Sequence, residues 1–180
     1  MNDISDEHLD AVLIGGRETR PIVVVDYDSA WPATYQRYAA LVRAAVGDSV
    51  LLLEHIGSTS VPGLAAKPII DMLLVVPVVE DEAAYLPALE DAGLVLRVRE
   101  SGHRMFRTPE RDVHLHLFST GSPEIPRYLD FRDWLRTDTA DRTLYESTKL
   151  TLATQEWKDM NYYSDAKSPV ISEIMARARG

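Results

Sequence analysis

The sequence predicts an α+β domain: a mixed sheet of about five strands, with roughly three C-terminal helices packed around it. Three observations lead there. Before Pro123 most apolar stretches are short, rich in β-branched residues and bounded by turn residues. After Pro123 the apolar residues recur at helical spacing to the end of the chain. The 180 residues are 46% hydrophobic, which is enough for one domain with a real core and too little for two large ones.

Residues 1–20 carry a weak helical pattern through Ile4, Leu9, Val12 and Leu13 that stops at Gly15-Gly16. A mobile or loosely docked N-terminal extension is expected there, with residues 21–180 forming the domain. Residues 22–25 read as a short strand. Pro32, after Asp28-Ser29-Ala30-Trp31, suits the first turn of a helix, where its missing N–H loses no intrahelical bond. Tyr35, Tyr38, Leu41, Val42 and Ala45 continue at helical spacing up to Gly47. Strands are expected over 50–56 and 68–76. The second is apolar almost throughout, as in a central strand covered on both faces. Residues 80–92 read as a helix that Pro87 kinks or restarts and Gly93 closes. Three more strand candidates follow, 94–98, 103–107 and 112–118. Side chains alternate along a strand, so Val113, Leu115 and Leu117 face one way and His114, His116 and Phe118 the other. Beyond Pro123, one helical face runs through Tyr128, Phe131, Trp134 and Leu135, and a second through Leu144, Thr148, Leu152 and Gln155. A third runs through Val170, Ile171, Ile174 and Met175, with Ser168-Pro169 as its start.

Composition narrows the classes. The formal net charge of -9 argues against an extended nucleic-acid partner, which needs an excess of Lys and Arg. The absence of cysteine removes disulfides, thiolate metal sites and cysteine nucleophiles. No apolar run approaches ~20 residues, and the acidic start lacks the features of a signal peptide. A soluble cytoplasmic protein with no membrane partner is expected.

The stretch from Glu54 to Asp71 concentrates the chemistry. An apolar run enters it, Gly57-Ser58-Thr59-Ser60 and Pro62-Gly63 break the chain, and a second apolar run leaves it carrying one charge, Asp71. A carboxylate within such a run is costly to bury unless it is paired or bound to a metal. Gly57 permits close approach of backbone or phosphate. Ser58, Thr59 and Ser60 offer hydroxyls, and the N–H groups that open the next turn suit an anion. Asp71 could hold a divalent cation bridging phosphates, and Lys67 adds a point charge. Arg97, Arg99, Arg104, Arg107 and Arg111 make residues 97–111 locally basic, an anion-facing surface on an acidic protein. The plainer alternatives are that Asp71 pairs with Arg104 or Arg107, that the serines only cap a turn, and that the basic stretch is a solvated hairpin. His55, next to Glu54, reads as a structural hydrogen-bonding residue.

Glu54-His55-Ile56-Gly57-Ser58-Thr59-Ser60-Val61-Pro62-Gly63-Leu64-Ala65-Ala66-Lys67-Pro68-Ile69-Ile70-Asp71 resembles the signature of the GrpB family, which is also found fused to dephospho-CoA kinase in some bacteria. The resemblance extends through Tyr27, Trp31-Pro32, His103-Arg104 and His114-Leu115-His116-Leu117-Phe118. It continues in Phe131-Arg132-Asp133-Trp134-Leu135-Arg136, Tyr145, Lys149 and Lys167, and so covers about residues 22–178. It implies the nucleotidyltransferase superfamily fold. It further implies a nucleotide triphosphate, a divalent metal such as magnesium or manganese, and a small-molecule acceptor.

On that pattern Asp71, Ser58 and Lys67 are the candidate catalytic residues. Gly57, Ser58, Thr59, Ser60, Arg104, Arg132, Lys149 and Lys167 are the candidates for nucleotide and phosphate contact, with surface ion pairing as the alternative for Arg132 and Arg136. The superfamily's second strand acid falls on Leu73, which cannot ligate a metal, and His114 and His116 stand where a third acid is expected. Asp71 with His114 and His116 would form a one-metal set, better suited to zinc, manganese or iron than to magnesium. A non-catalytic nucleotide- or partner-binding module, or a metal-dependent hydrolase using Asp71, His114 and His116, are the rival readings.

Overall fold

Five strands pair into one mixed sheet in the computed structural model, which describes residues 5–180. They are β1 (Leu52–Ile56), β2 (Ile70–Val76), β3 (Val95–Glu100), β4 (His103–Arg107) and β5 (Val113–Ser119), in the order β1-β2-β5-β4-β3. The β2–β5 pair is parallel and the other three are antiparallel. β2 has a neighbour on each side and is covered on both faces, which explains its near-continuous apolar run; every residue in it except Asp71 is buried. The helices are α1 (Asp6–Val12), α2 (Trp31–Val46), α3 (Leu86–Asp91), α4 (Glu124–Thr137), α5 (Thr139–Ala153), α6 (Met160–Asp165) and α7 (Ser168–Ala178).

Register divides the sheet into two faces. Met72, Leu74, Leu115, Leu117, Arg104 and Phe106 share one; Asp71, Leu73, His114, His116, Met105 and Arg107 share the other. The first face forms the main core with Ala39, Val42 and Val46 of α2 and Leu89 of α3. On the second face α4 lays Ile125, Tyr128 and Leu129 over Ile56, Leu73, Val75 and Phe118. A third cluster joins Leu135, Tyr145, Val170 and Ile174 of α4, α5 and α7 to Val61 and Leu64 in the loop between β1 and β2. The C-terminal helices therefore roof the second face.

The α+β class and the five-stranded sheet are as expected, and three details differ. Residues 22–25 form no strand: Val25 makes a single bridge to Ala66, Val23 and Val25 are exposed, and Ile22 and Val24 are only half-buried. The 80–92 segment is a 3-10 turn, Glu82–Ala84, followed by α3, which restarts with Pro87 in its first turn. Four helices follow β5 rather than three, because α6 is only six residues long and too short to show a period. Within the stretch expected as an extension, α1 packs Leu9 and Leu13 into buried positions, Leu13 bridges Val98 of β3, and Arg97 donates to the carbonyls of Ile14 and Gly16. Among the described residues no helix is long and apolar enough to cross a membrane.

Candidate functional site

The loop that leaves β1 is shaped around Asp71. Gly57 adopts φ +70°, and a Cβ there would lie 2.5 Å from Asp71 Oδ2 and 3.0 Å from Asp71 Cβ. Only glycine fits both that backbone and that contact. Ser58–Ser60 then form a 3-10 turn. Thr59 Oγ1 donates to the Ile69 carbonyl at 3.0 Å, so its single hydrogen is committed. It therefore accepts from His55 Nε2, also at 3.0 Å. His55 belongs to the opposite face of the sheet, stacks on Tyr35 at 4.8 Å, and is pushed by burial down to about 4. It is a neutral structural residue, as expected. Ser60 Oγ donates to the Gly57 carbonyl at 2.6 Å.

Two helices hold this loop from outside. Arg136 of α4 donates twice to the Ser60 carbonyl, at 3.1 and 2.9 Å. On α5, Glu146 accepts from the Ala65 N–H at 2.6 Å, and Lys149 donates to the Ala65 carbonyl. Ser58 and Thr59 both line the cleft, and with the Thr59 hydroxyl committed internally Ser58 is the one that can meet a ligand there.

The cleft floor is Asp71 with two imidazoles. β2 and β5 run parallel with Asp71 opposite His114 and Leu73 opposite His116. His114 Nδ1 lies 3.5 Å and His116 Nε2 3.8 Å from Asp71 Oδ1. Desolvation works to raise the Asp71 carboxyl, but the neighbouring imidazoles, His114 and then His116, hold it well below the usual carboxylate range. One ligand atom from each of the three residues lies within 4.8 Å of the others, a spread that one ion can bridge. Leu73, where the resemblance would place a second acid, is fully buried against Ile56, Val75 and Phe118. Glu54, which faces Leu73 across β1, is bound by Arg132 at 2.8 Å.

Above this floor lies a cleft of about 490 Å³ between the sheet and the helical roof. Three of the chain's four lysines line it: Lys67 from the loop, Lys149 from α5, and Lys167 at the start of α7. The ammonium groups of Lys67 and Lys167 stand 5.1 and 4.8 Å from the Tyr163 ring, and that of Lys149 stands 4.9 Å from the Tyr145 ring. Desolvation first, then the charge of Lys167, brings Lys67 down to about 8; desolvation, Lys167 and Lys67 bring Lys149 down to about 7. Desolvation also lowers Lys167, against the pull of Asp71. Burial pushes the Tyr163 hydroxyl up to about 12, and that hydroxyl has no hydrogen-bond partner among the described residues.

The basic stretch divides between the two faces: alternation separates Arg104 from Arg107 on β4, and a bulge between Leu96 and Val98 separates Arg97 from Arg99 on β3. Arg107 and Arg97 line the cleft, as does Arg111, whose φ is +65°. Arg107 and Arg111 both bind Glu18, at 2.8 and 3.1 Å. Arg104 lies on the other face of the sheet, where Glu82 holds it at 2.5 Å and also binds Arg99. Asp71 therefore pairs with neither Arg104 nor Arg107. Arg132 is also away from the cleft: it ties α4 to β1 through Glu54 and the His55 carbonyl, the latter at 3.0 Å. The structure thus gathers Gly57, Ser58, Thr59, Lys67, Asp71, His114, His116, Lys149 and Lys167 around the cleft and leaves Ser60, Arg104 and Arg132 outside it. Sequence reasoning did not select Tyr163, Glu18 or Asp159, which also line it. Tyr163 sits on the six-residue α6, and nothing in its local sequence separates it from Tyr162.

This architecture, an α+β fold with a five-stranded mixed sheet, a Gly-Ser turn and an acid on the next strand, is nucleotidyltransferase-like. It matches a solved cytoplasmic RNA terminal U-transferase with a TM-score of 0.50 at 8% identity, over 69% of this chain and 40% of that one. A family model described as GrpB protein matches residues 21–177, and the chain belongs to that family. It is 48% identical over 181 residues to UPF0157 protein BH1888 of Halalkalibacterium halodurans, covering 97% of this chain and 92% of the relative. It is 53% identical over 166 residues to UPF0157 protein SCO7215 of Streptomyces coelicolor, covering 92% and 89%. The crystal structure of conserved protein GrpB from Enterococcus faecalis superimposes with a TM-score of 0.76 at 31% identity, over 88% of this chain and 100% of that one.

Proposed function

We propose that the protein binds a nucleoside triphosphate with a divalent metal ion and transfers the nucleotidyl group to a small-molecule acceptor. The observation that carries this reading is the convergence of Lys67, Lys149 and Lys167 on the cleft wall, each ammonium group about 5 Å from the ring of Tyr163 or Tyr145. Three desolvated ammonium groups repel one another, and a polyphosphate would relieve that repulsion. Ser58 and the Gly57 turn would hold further phosphate oxygens. Asp71, His114 and His116 fit a single divalent ion, and such an ion would polarise a phosphoryl oxygen. In the transfer, an acceptor oxygen or nitrogen forms a bond to the α-phosphorus as the bond to the β-phosphate oxygen breaks and pyrophosphate leaves. The lysines stabilise the charge on that leaving group and the loop fixes the line of attack. The net charge of -9 favours a small acceptor over an extended nucleic acid.

A second reading rests on Leu73. With that position closed by apolar neighbours, the floor offers one ligand set in place of the two-metal pair, which favours hydrolysis by a single-metal site or binding without turnover. Pyrophosphate release separates these readings. Nucleotidyl transfer gives acceptor-dependent pyrophosphate that Asp71→Ala abolishes. Hydrolysis gives acceptor-independent product. A binding module gives neither.

A further inference from the structure

We infer that Glu100 and His103 are positioning residues that fix His116 as a nitrogen ligand, so that the cleft floor is built for a nitrogen-preferring divalent ion such as zinc or cobalt rather than magnesium. This inference deepens the metal reading above and rests on it. The His103 ring lies nearly parallel to those of His116 and Phe118, with centroids 5.3 and 4.7 Å away. Its Nδ1 is 2.8 Å from Glu100 Oε1, and its Nε2 is 3.1 Å from His116 Nδ1.

The hydrogens follow from valence. A neutral imidazole has one donor nitrogen and one acceptor, and an ionised carboxylate only accepts. Glu100 therefore requires the hydrogen of His103 on Nδ1, which makes His103 Nε2 an acceptor. His116 Nδ1 must then donate to it. That leaves the His116 lone pair on Nε2, the atom that faces Asp71 Oδ1 at 3.8 Å. With neutral rings, one placement of hydrogens satisfies all three groups, and it presents a lone pair to the cleft. A carboxylate-backed imidazole of this kind orients a metal-ligating histidine and raises its basicity. Two imidazoles and one carboxylate select against magnesium, which prefers an all-oxygen shell.

The test is titration of the full chain with Co²⁺, Zn²⁺ and Mg²⁺ in the wild type, Asp71→Ala, His103→Phe and Glu100→Gln. His103→Phe keeps a flat ring against Phe118 and removes both hydrogen bonds. Glu100→Gln keeps the size and an acceptor oxygen and removes the charge. The expected results are tighter binding of Co²⁺ and Zn²⁺ than of Mg²⁺ and loss of binding in Asp71→Ala. His103→Phe should lose roughly 10- to 100-fold in affinity and Glu100→Gln less, with both metal-free variants still folded by circular dichroism. Histidine ¹⁵N spectra of the zinc-loaded protein should show His103 protonated at Nδ1. Wild-type affinity in both variants, or His103 protonated at Nε2, overturns the inference and leaves the metal site standing. A wild-type protein that binds neither Co²⁺ nor Zn²⁺ removes the site itself.

Discussion

Asp71 is the residue on which the site turns, and its surroundings explain two neighbours that look unremarkable in sequence. Gly57 exists to make room for its carboxylate. Gly57→Ala should displace Asp71 and add backbone strain of about 1–3 kcal/mol, measurable as a lower unfolding midpoint together with weakened metal binding. Leu73 is the opposite case. Leu73→Asp supplies the second acid that the resemblance implies, but its side chain would enter the pocket of Ile56, Val75 and Phe118. We expect a loss of about 3–5 kcal/mol from the unpaired charge and no gain of transfer activity. A stable, more active variant would show that this pocket tolerates a second ligand. At this scale Asp71 was legible in the sequence, because a lone charge in an apolar run demands a reason. Its partners were not. Alternation placed His114 with His116, but it could not say whether that pair, Arg104 or Arg107 faced Asp71. The parallel β2–β5 register decides that, and it joins residues more than forty positions apart.

At the scale of elements, the cleft is assembled by a loop and three helices that each bring one cationic or aromatic group to the same wall. The strands and the longer helices were legible from their periods. The six residues of α6 were not, and with them went Tyr163, the residue around which Lys67 and Lys167 gather. Clustering of this kind has a measurable pH signature. Lys149 falls from the ordinary 10.5 to about 7, chiefly through desolvation. Between those values the unfolded chain carries a proton that the native protein lacks, so stability rises with pH across that window. Below pH 7 both states are protonated and this contribution no longer changes. The urea midpoint of the ligand-free protein should therefore climb from pH 7 to 9.5, and Lys149→Met should climb less steeply. Equal slopes in the two proteins would mean that Lys149 is not desolvated as described.

For the whole molecule, an acidic chain encloses a cleft whose lysines are concentrated on one wall, opposite an Asp-His-His floor. The family and the nucleotidyltransferase-like fold were legible because the 54–71 stretch is long and distinctive. The chemistry is less so, because the fold hosts many reactions and the site departs from the two-metal pattern at Leu73. The most direct measurement is calorimetric titration of ATP into the protein at saturating Mn²⁺ or Zn²⁺, repeated with Asp71→Ala and Lys167→Met after circular dichroism shows both variants folded. The account predicts metal-dependent binding in the wild type and its loss in both variants. Binding that is independent of metal, or unchanged in Asp71→Ala, would contradict it.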